Sequence, residues 1–222
     1  MSAQDFLSAV SQLIYLALFA VTTGRFVRSP SWASFDTFLF FGVIAAILLA
    51  GDAAEILGFT DHPALRVLVW VGLSALPLIL LRLVDDFRPR RTWLMIVASG
   101  AYLLVAAIGI VTPQPTPPAV NLVPIAYVVL LGGYASLAFF REARTSRGVT
   151  RRRMQAVAVG SGLLAVILLL TGVRIVLPAL ADGMAVGTQV LGLGTVLAYY
   201  VGFAPPRVLR RAWQEPAIRA ML

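Results

Sequence analysis

The sequence predicts an all-α membrane protein, a bundle of seven transmembrane helices. Three observations support this prediction: 59% of the 222 residues are apolar, only 13% are charged, and the mean hydropathy is +0.89. A soluble domain usually has about 45–50% apolar residues and about a quarter charged residues. The composition therefore excludes an ordinary soluble domain, and its hydrophobicity also excludes a disordered chain.

Seven apolar segments follow one another, each near the roughly 20 residues that a helix needs to cross a bilayer. The predicted spans are residues 5–24, 34–58, 64–84, 93–112, 120–141, 154–179 and 185–204. Charged residues, prolines or a turn separate them, in order at 25–30, 61–63, 88–91, 113–118, 141–153 and 182–183. Residues 1–204 are thus predicted to form a seven-helix membrane domain, and residues 205–222 a juxtamembrane amphipathic helix or linker.

The distribution of arginine predicts the orientation. The chain has no Lys, and all but Arg66 and Arg174 of its 18 basic residues lie in or beside the first, third and fifth loops and the tail. Positive residues accumulate on the cytoplasmic side. We therefore expect a multi-pass protein of the inner (cytoplasmic) membrane, with its N-terminus outside and its C-terminus cytoplasmic. Topology and contact with anionic membrane lipid account for the net charge of +8, so no nucleic-acid partner is expected.

The residue inventory excludes several chemistries. The absence of Cys excludes disulfides, thiolate nucleophiles and Cys-based metal sites, and the absence of Lys excludes a retinal Schiff base. A single histidine, His62, excludes a bis-His haem. No serine lies near a histidine in the sequence, and no phosphate-binding glycine loop or other kinase or hydrolase motif is present. We therefore expect a protein that is not an enzyme and has no cofactor and no metal.

Charged residues inside the predicted spans are the candidate ligand-binding residues, because such charges are costly and usually functional. Asp52 and Glu55 lie three residues apart on one face of the second helix, near its outer end. Arg66 and Arg174 lie at a similar depth. One interpretation is an outward-opening pocket for a small polar or anionic ligand or a lipid headgroup. The other is an interhelical ion pair of Arg174 with Asp52 or Glu55, and for Arg66 a structural role near water is favoured.

Two further patterns concern the seventh helix. Small residues recur at four-residue spacing, and this predicts close packing of the sixth and seventh helices: Ala156 and Gly160, then Gly194, Ala198 and Gly202. Pro205 and Pro206 then end the seventh helix, and Arg207 can begin a short interfacial helix that carries Trp213. These last four residues are the candidate signal-coupling residues.

The tail 202–222 and the segment Leu81-Arg82-Leu83-Val84-Asp85-Asp86-Phe87 resemble the matching parts of bacterial sensor histidine kinases that begin with a seven-transmembrane sensor region. The resemblance implies the sensory part of a two-component system, often a homodimer, whose tail leads to cytoplasmic modules. The 222 residues contain no histidine-bearing dimerisation helix and no ATP-binding motif. Only signal detection, and not phosphotransfer, is therefore expected of this chain.

These observations favour a non-catalytic membrane sensor. It would detect an extracellular or membrane-dissolved cue, a small molecule or lipid of unknown identity, and relay it through the seventh helix to a cytoplasmic output. The alternative is a structural or accessory subunit of a larger respiratory or photosynthetic membrane complex, with other membrane proteins as partners. A small transporter ranks third, because seven spans do not divide into two similar halves.

Overall fold

The structure, a computed structural model, describes residues 3–60, 62–85, 92–112, 117–177, 179 and 181–205. Within these ranges the chain is helical and contains no strand. All seven helices are long and apolar enough to cross a membrane, which confirms the all-α class and the seven candidate spans, while the orientation of the termini stays a prediction. They are α1 (Ala3–Arg28), α2 (Trp32–Leu57), α3 (Pro63–Asp85), α4 (Thr92–Val111), α5 (Pro118–Thr145), α6 (Gly148–Val176) and α7 (Ala181–Phe203).

The helices extend beyond the predicted spans at their arginine-bearing ends. The segment 141–153 was expected to separate two spans, but α5 continues to Thr145 and α6 begins at Gly148. Arginine is a good helix former, and the backbone N–H of Ser146 closes the end of α5 by donating to the Glu142 carbonyl at 3.0 Å. Only Ser146 and Arg147 therefore separate α5 from α6.

Six of the helices form a closed ring in the order α1, α2, α3, α5, α6 and α7, with α7 returning to α1. The contact between α5 and α6 is the most extensive, followed by that between α6 and α7, whereas α4 packs against α3 and, less closely, α5. Because successive helices run in opposite directions, α1, α3, α5 and α7 end where α2, α4 and α6 begin. We call this the Arg-rich end of the bundle, after Arg28, Arg82, Arg144 and Arg151, and the other the opposite end.

The main core lies in the half of the bundle next to the Arg-rich end. Four fully or nearly buried rings from α2 and α7 meet there: Phe40, Phe41, Tyr199 and Phe203. The ring centroids of Phe40 and Tyr199 are 5.2 Å apart, and those of Phe41 and Phe203 are 5.3 Å apart, both edge to face. Edge-to-face contacts are favourable beyond the area they bury, so these rings join α2 firmly to α7.

Two glycines allow α6 and α7 to approach closely in the same half. A Cβ atom at Gly160 would lie 2.8 Å from Cδ1 of the Tyr199 ring, and one at Gly202 would lie 2.6 Å from Cγ2 of Val157. The Tyr199 hydroxyl also lies 3.4 Å from Oγ of Ser161 on α6. The close packing of the sixth and seventh helices that the small residues predicted is thus confirmed.

Candidate functional site

A cavity of about 550 Å³ lies between α3, α5 and α6, towards the opposite end of the bundle. Its volume is within the range of about 300–1,000 Å³ that is typical of small-molecule sites. We call it the α3/α5 cavity. The residues that define its chemistry are Arg66, Trp70 and Ser74 on α3, Asn121 and Ile125 on α5, and Leu168 on α6. Because those on α3 and α5 are spaced by four, each helix presents one face to the cavity.

The indole of Trp70 is a fixed wall of the α3/α5 cavity. Its Nε1 atom donates a hydrogen bond to the Val105 carbonyl of α4 at 2.8 Å. The ring lies directly on Gly109 of α4, where a methyl group would overlap it. The helix α4 therefore fixes one side of the Trp70 indole, and the α3/α5 cavity lies on the other side of the ring.

The α3/α5 cavity also contains an unusual polar group. Ser74 is fully buried, and its hydroxyl has no hydrogen-bond partner within the described ranges. An unpaired buried hydroxyl is costly, so such groups usually meet a ligand or an ordered water molecule. Arg66 is exposed in the first turn of α3, and Asn121 is half-buried in the first turn of α5. The cavity thus combines apolar walls with a buried hydroxyl deep inside it and two polar side chains near its opening.

Of the four predicted ligand-binding residues, only Arg66 lines this cavity. Asp52 accepts a hydrogen bond from Nε2 of Gln12 at 3.3 Å and so links α2 to α1, while Glu55 is exposed near the end of α2. Arg174 is half-buried on α6, and in the described part of the chain it pairs with neither carboxylate. These residues do not pair because their helices are not neighbours in the bundle: α2 packs mainly on α1 and α3, and α6 mainly on α5 and α7. The predicted grouping of Asp52, Glu55 and Arg174 is therefore not formed.

His62 caps a helix. Its Nδ1 atom accepts the backbone N–H of Ala64 at 3.2 Å, at the start of α3. Within residues 3–60, 62–85, 92–112, 117–177, 179 and 181–205, no three His, Asp or Glu side chains lie together as metal ligands would.

The end of α7 is held by two arginines that sequence analysis assigned only to membrane topology. Nη1 of Arg25 on α1 donates to the Phe203 carbonyl at 3.2 Å, and Nε of Arg153 on α6 donates to the Gly202 carbonyl at 2.8 Å. The last carbonyls of a helix have no partner within it. These two bonds therefore satisfy carbonyls in the last turn of α7, just before Pro205. The other signal-coupling candidates, Pro206, Arg207 and Trp213, lie outside the described residues.

Sequence analysis also missed an ion pair between a buried carboxylate and a half-buried arginine. Asp36, five residues into α2, is 2% exposed, and its Oδ1 atom lies 3.1 Å from Nη2 of Arg82 on α3. The signal in the sequence was an acidic residue within an otherwise apolar span, the same signal that selected Asp52 and Glu55. The pair joins α2 to α3 at the Arg-rich end.

The described residues thus define a class of protein with seven helices that could span a membrane and a cavity of ligand size between three of them. No protein-family model, curated protein or solved structure matches the chain. The resemblance to sensor histidine kinases therefore remains a hypothesis, and the function must be argued from the residues of this chain.

Proposed function

We propose that the chain is a non-catalytic membrane sensor that binds a small amphipathic cue in the α3/α5 cavity and relays it through α7 to a cytoplasmic output. The observation that supports this proposal most strongly is the cavity itself, with the unpartnered Ser74 hydroxyl in its wall. The arginine distribution, with the N-terminus outside, would open this site towards the outer face.

The lining suggests the chemistry of the cue. Apolar walls that include Trp70 and Leu168 suit the ring or chain of a molecule that dissolves in the membrane. Ser74 can donate to or accept from a polar group deep in the cavity. Arg66 and Asn121, in the first turns of their helices, suit an anionic or hydrogen-bonding head.

A route from the cavity to the output runs along α6. Leu168 of α6 lines the cavity, and the same helix holds α7 through Gly160 and Arg153. A displacement of α6 by a ligand would therefore be passed to the last turn of α7 and to Pro205. A ligand shifts such an equilibrium only if it binds the two states with different affinity.

The site is tested with a pair of glycine variants on α4. Gly109→Ala places a methyl group against Trp70 and should push the indole into the cavity, whereas Gly100→Ala places one in open space. Each protein is extracted gently from its own membrane and measured by native mass spectrometry. We expect a small molecule or lipid to remain bound to the wild type and to Gly100→Ala, and to be lost from Gly109→Ala.

Equal retention by both variants would exclude the α3/α5 cavity as the site. Stoichiometric co-purification with unrelated membrane subunits, without a bound small molecule, would instead favour the accessory-subunit function.

The relay is tested by a distance measurement at the Arg-rich half. Because the chain has no Cys, spin labels can be attached only at introduced cysteines, and Leu137 of α5 and Leu197 of α7 are both exposed there. In the Leu137→Cys/Leu197→Cys protein, removal of the bound molecule by delipidation should shift the distance distribution. The same labels in Gly109→Ala should show the shifted distribution from the start. An identical distribution in all three samples would contradict the relay.

A further inference from the structure

The face of α3 that lines the α3/α5 cavity continues to a proline at the deep end of the cavity. Val69 and Leu73 lie on this face, and Pro77 follows them at the same four-residue spacing. Residues four apart share one face of a helix. Because α3 runs from the opposite end towards the Arg-rich end, Pro77 lies one turn deeper than Leu73, and it is fully buried.

Pro77 leaves a backbone acceptor without its usual donor. Proline has no backbone N–H, so it removes the helical hydrogen bond to the carbonyl four residues earlier. In α3 that carbonyl belongs to Leu73, a residue of the cavity wall. A carbonyl deep in a cavity needs another donor, because a buried backbone acceptor without one is costly.

The next residue, Ser74, adds a second unpaired group. Its side chain is fully buried in the same wall, and its hydroxyl has no hydrogen-bond partner among the described residues. A carbonyl oxygen only accepts, whereas a hydroxyl both donates and accepts. A ligand group that satisfies both residues must donate to Leu73 while it accepts from Ser74. A hydroxyl group and an amide group meet this requirement.

The charges around the cavity favour a neutral group at this depth. A carboxylate would place its negative charge beside the Leu73 carbonyl oxygen, and Arg66 lies two turns away, near the opening. No acidic side chain is among the described residues of the wall, so an ammonium group would be buried without a countercharge. An ion buried without a partner is far more costly than a neutral polar group that is hydrogen-bonded.

We propose that the buried end of the cue is an uncharged hydroxyl or amide group that donates to the Leu73 carbonyl and accepts from the Ser74 hydroxyl. The inference rests on the proposed function, since it names the chemical class of the molecule that the sensor binds. It makes Pro77 a positioning residue of the site, because the proline leaves the Leu73 carbonyl available. The buried end is then an alcohol, a phenol or an amide, and neither a carboxylate nor an amine.

The test uses four probes that differ in their polar group: 4-bromobenzyl alcohol, 4-bromobenzyl methyl ether, 4-bromobenzoate and 4-bromobenzylammonium. The full chain is delipidated and placed in phosphatidylcholine nanodiscs, with Trp32, Trp93 and Trp213 replaced by Phe, so that Trp70 is the only tryptophan. Ser74 and Trp70 are one turn apart, about 6 Å along the helix. A bromine atom on the far side of the ring therefore lies next to the indole when the polar group reaches Ser74. Bromine quenches tryptophan fluorescence on contact, and the saturable part of the quenching measures occupancy of the cavity.

We expect the alcohol to bind at least about tenfold more tightly than the ether, because only the alcohol can donate to the Leu73 carbonyl and an unpaired buried acceptor is costly. The carboxylate and the ammonium should both bind more weakly than the alcohol. Equal affinity of the alcohol and the ether, or tightest binding of either ion, would overturn this inference and leave the α3/α5 cavity as the site. No saturable quenching by any of the four probes would overturn the proposed function itself, and the inference with it.

The variant Pro77→Ala tests the role of the proline. It restores a backbone N–H that can pair with the Leu73 carbonyl, so we expect the preference for the alcohol over the ether to disappear. The control is Pro63→Ala, the same substitution at the first residue of the same helix, where an N–H has no helical carbonyl to meet. The control should keep the wild-type preference. An unchanged preference in Pro77→Ala, or an equal loss in Pro63→Ala, would contradict the inference.

The variant Ser74→Ala separates the two hydrogen bonds and does not depend on the proline substitution being tolerated. The alcohol and the ether can both accept from the Ser74 hydroxyl, so the variant should weaken both by a similar factor, about 2–10, and leave their ratio unchanged. If Ser74→Ala weakens neither probe, or if it abolishes the preference for the alcohol, the two groups do not act as proposed. The comparison of alcohol and ether in the wild type decides the inference even if Pro77→Ala does not fold.

Discussion

The two halves of the bundle are packed differently. In the half next to the Arg-rich end, buried side chains of α1, α2, α3, α5, α6 and α7 form one continuous core. In the other half, the second buried cluster among the described residues consists of Val105, Tyr127 and Val128 with their neighbours, beside the α3/α5 cavity. Stability is rarely uniform across a protein, and ligand-binding regions are drawn from its less stable parts. We call the half next to the Arg-rich end the packed half and the half around the α3/α5 cavity the loose half. We expect the packed half to be rigid and the loose half to adapt to a ligand.

The glycines of α7 show how this difference arises. At Gly202, near the Arg-rich end, a Cβ atom would collide with Val157, whereas at Gly183, Gly187 and Gly192 it would meet nothing within 4 Å. Apolar surface gains little by leaving lipid for a helix interface, so close backbone approach is a main source of stability between membrane helices. The helix α7 is thus tightly held at its end and loosely held at its beginning.

The largest expected effect is in the packed half, at the ion pair of Asp36 and Arg82. Arg82→Ala leaves a carboxylate that is 2% exposed without this partner. Leaving a buried charged acceptor without such a partner costs up to about 3 kcal/mol of unfolding free energy, less than for a fully buried pair because 40% of the Arg82 side chain is exposed. Unfolding in mixed detergent micelles, followed by circular dichroism, measures the loss.

The double variant Asp36→Asn/Arg82→Ala is the control for this prediction. It removes the buried charge together with its partner, so most of the lost stability should return. A double variant as unstable as Arg82→Ala would show that the ion pair is not the cause.

A smaller loss of unfolding free energy should distinguish a glycine of the packed half, Gly160, from one of the loose half, Gly187. Gly160→Ala places a methyl group 2.8 Å from the Tyr199 ring, and overpacking of this kind costs about 1–3 kcal/mol. Gly187→Ala adds the same methyl group in open space, where the higher helix propensity of alanine should give no loss or a gain of up to about 1 kcal/mol. The same unfolding measurement applies. Equal losses at both positions would contradict the difference in packing.

The sequence predicted the fold class and the seven helices well, because composition and segment length determine whether a helix can cross a membrane. It also predicted the close contact of the sixth and seventh helices, since the glycines on both sides are visible in the sequence. It could not predict which other helices become neighbours. The proposed grouping of Asp52 with Arg174 failed for that reason, because α2 and α6 pack on different partners.

The same limit explains the residues that were missed. Arg25 and Arg153 are far apart in the sequence, and each alone has the position expected of a topology-determining arginine. Only the return of α7 to α1 places both beside the carbonyls of Gly202 and Phe203. Likewise, Ser74 is unremarkable within an apolar helix, and its significance comes from the cavity that α5 and α6 leave beside it.

The smallest and sharpest comparison is between two serines. In the packed half, the Ser136 hydroxyl donates to the Ala158 carbonyl of α6 at 2.7 Å; in the loose half, the Ser74 hydroxyl has no partner among the described residues. Ser136→Ala should therefore cost about 0.6–1 kcal/mol, the usual worth of a hydrogen bond between membrane helices. In delipidated protein, Ser74→Ala should cost nothing or stabilise the fold by up to about 1 kcal/mol, since it removes an unpaired buried hydroxyl.

Native mass spectrometry of the same two variants before delipidation separates the effect on stability from the effect on ligand binding. If Ser74 contacts the cue, Ser74→Ala loses the bound molecule despite its unimpaired stability, whereas Ser136→Ala retains it. A Ser74→Ala protein that is as destabilised as Ser136→Ala would mean that its hydroxyl is satisfied within the fold, and the cavity would lose the polar group that distinguishes it from a packing defect.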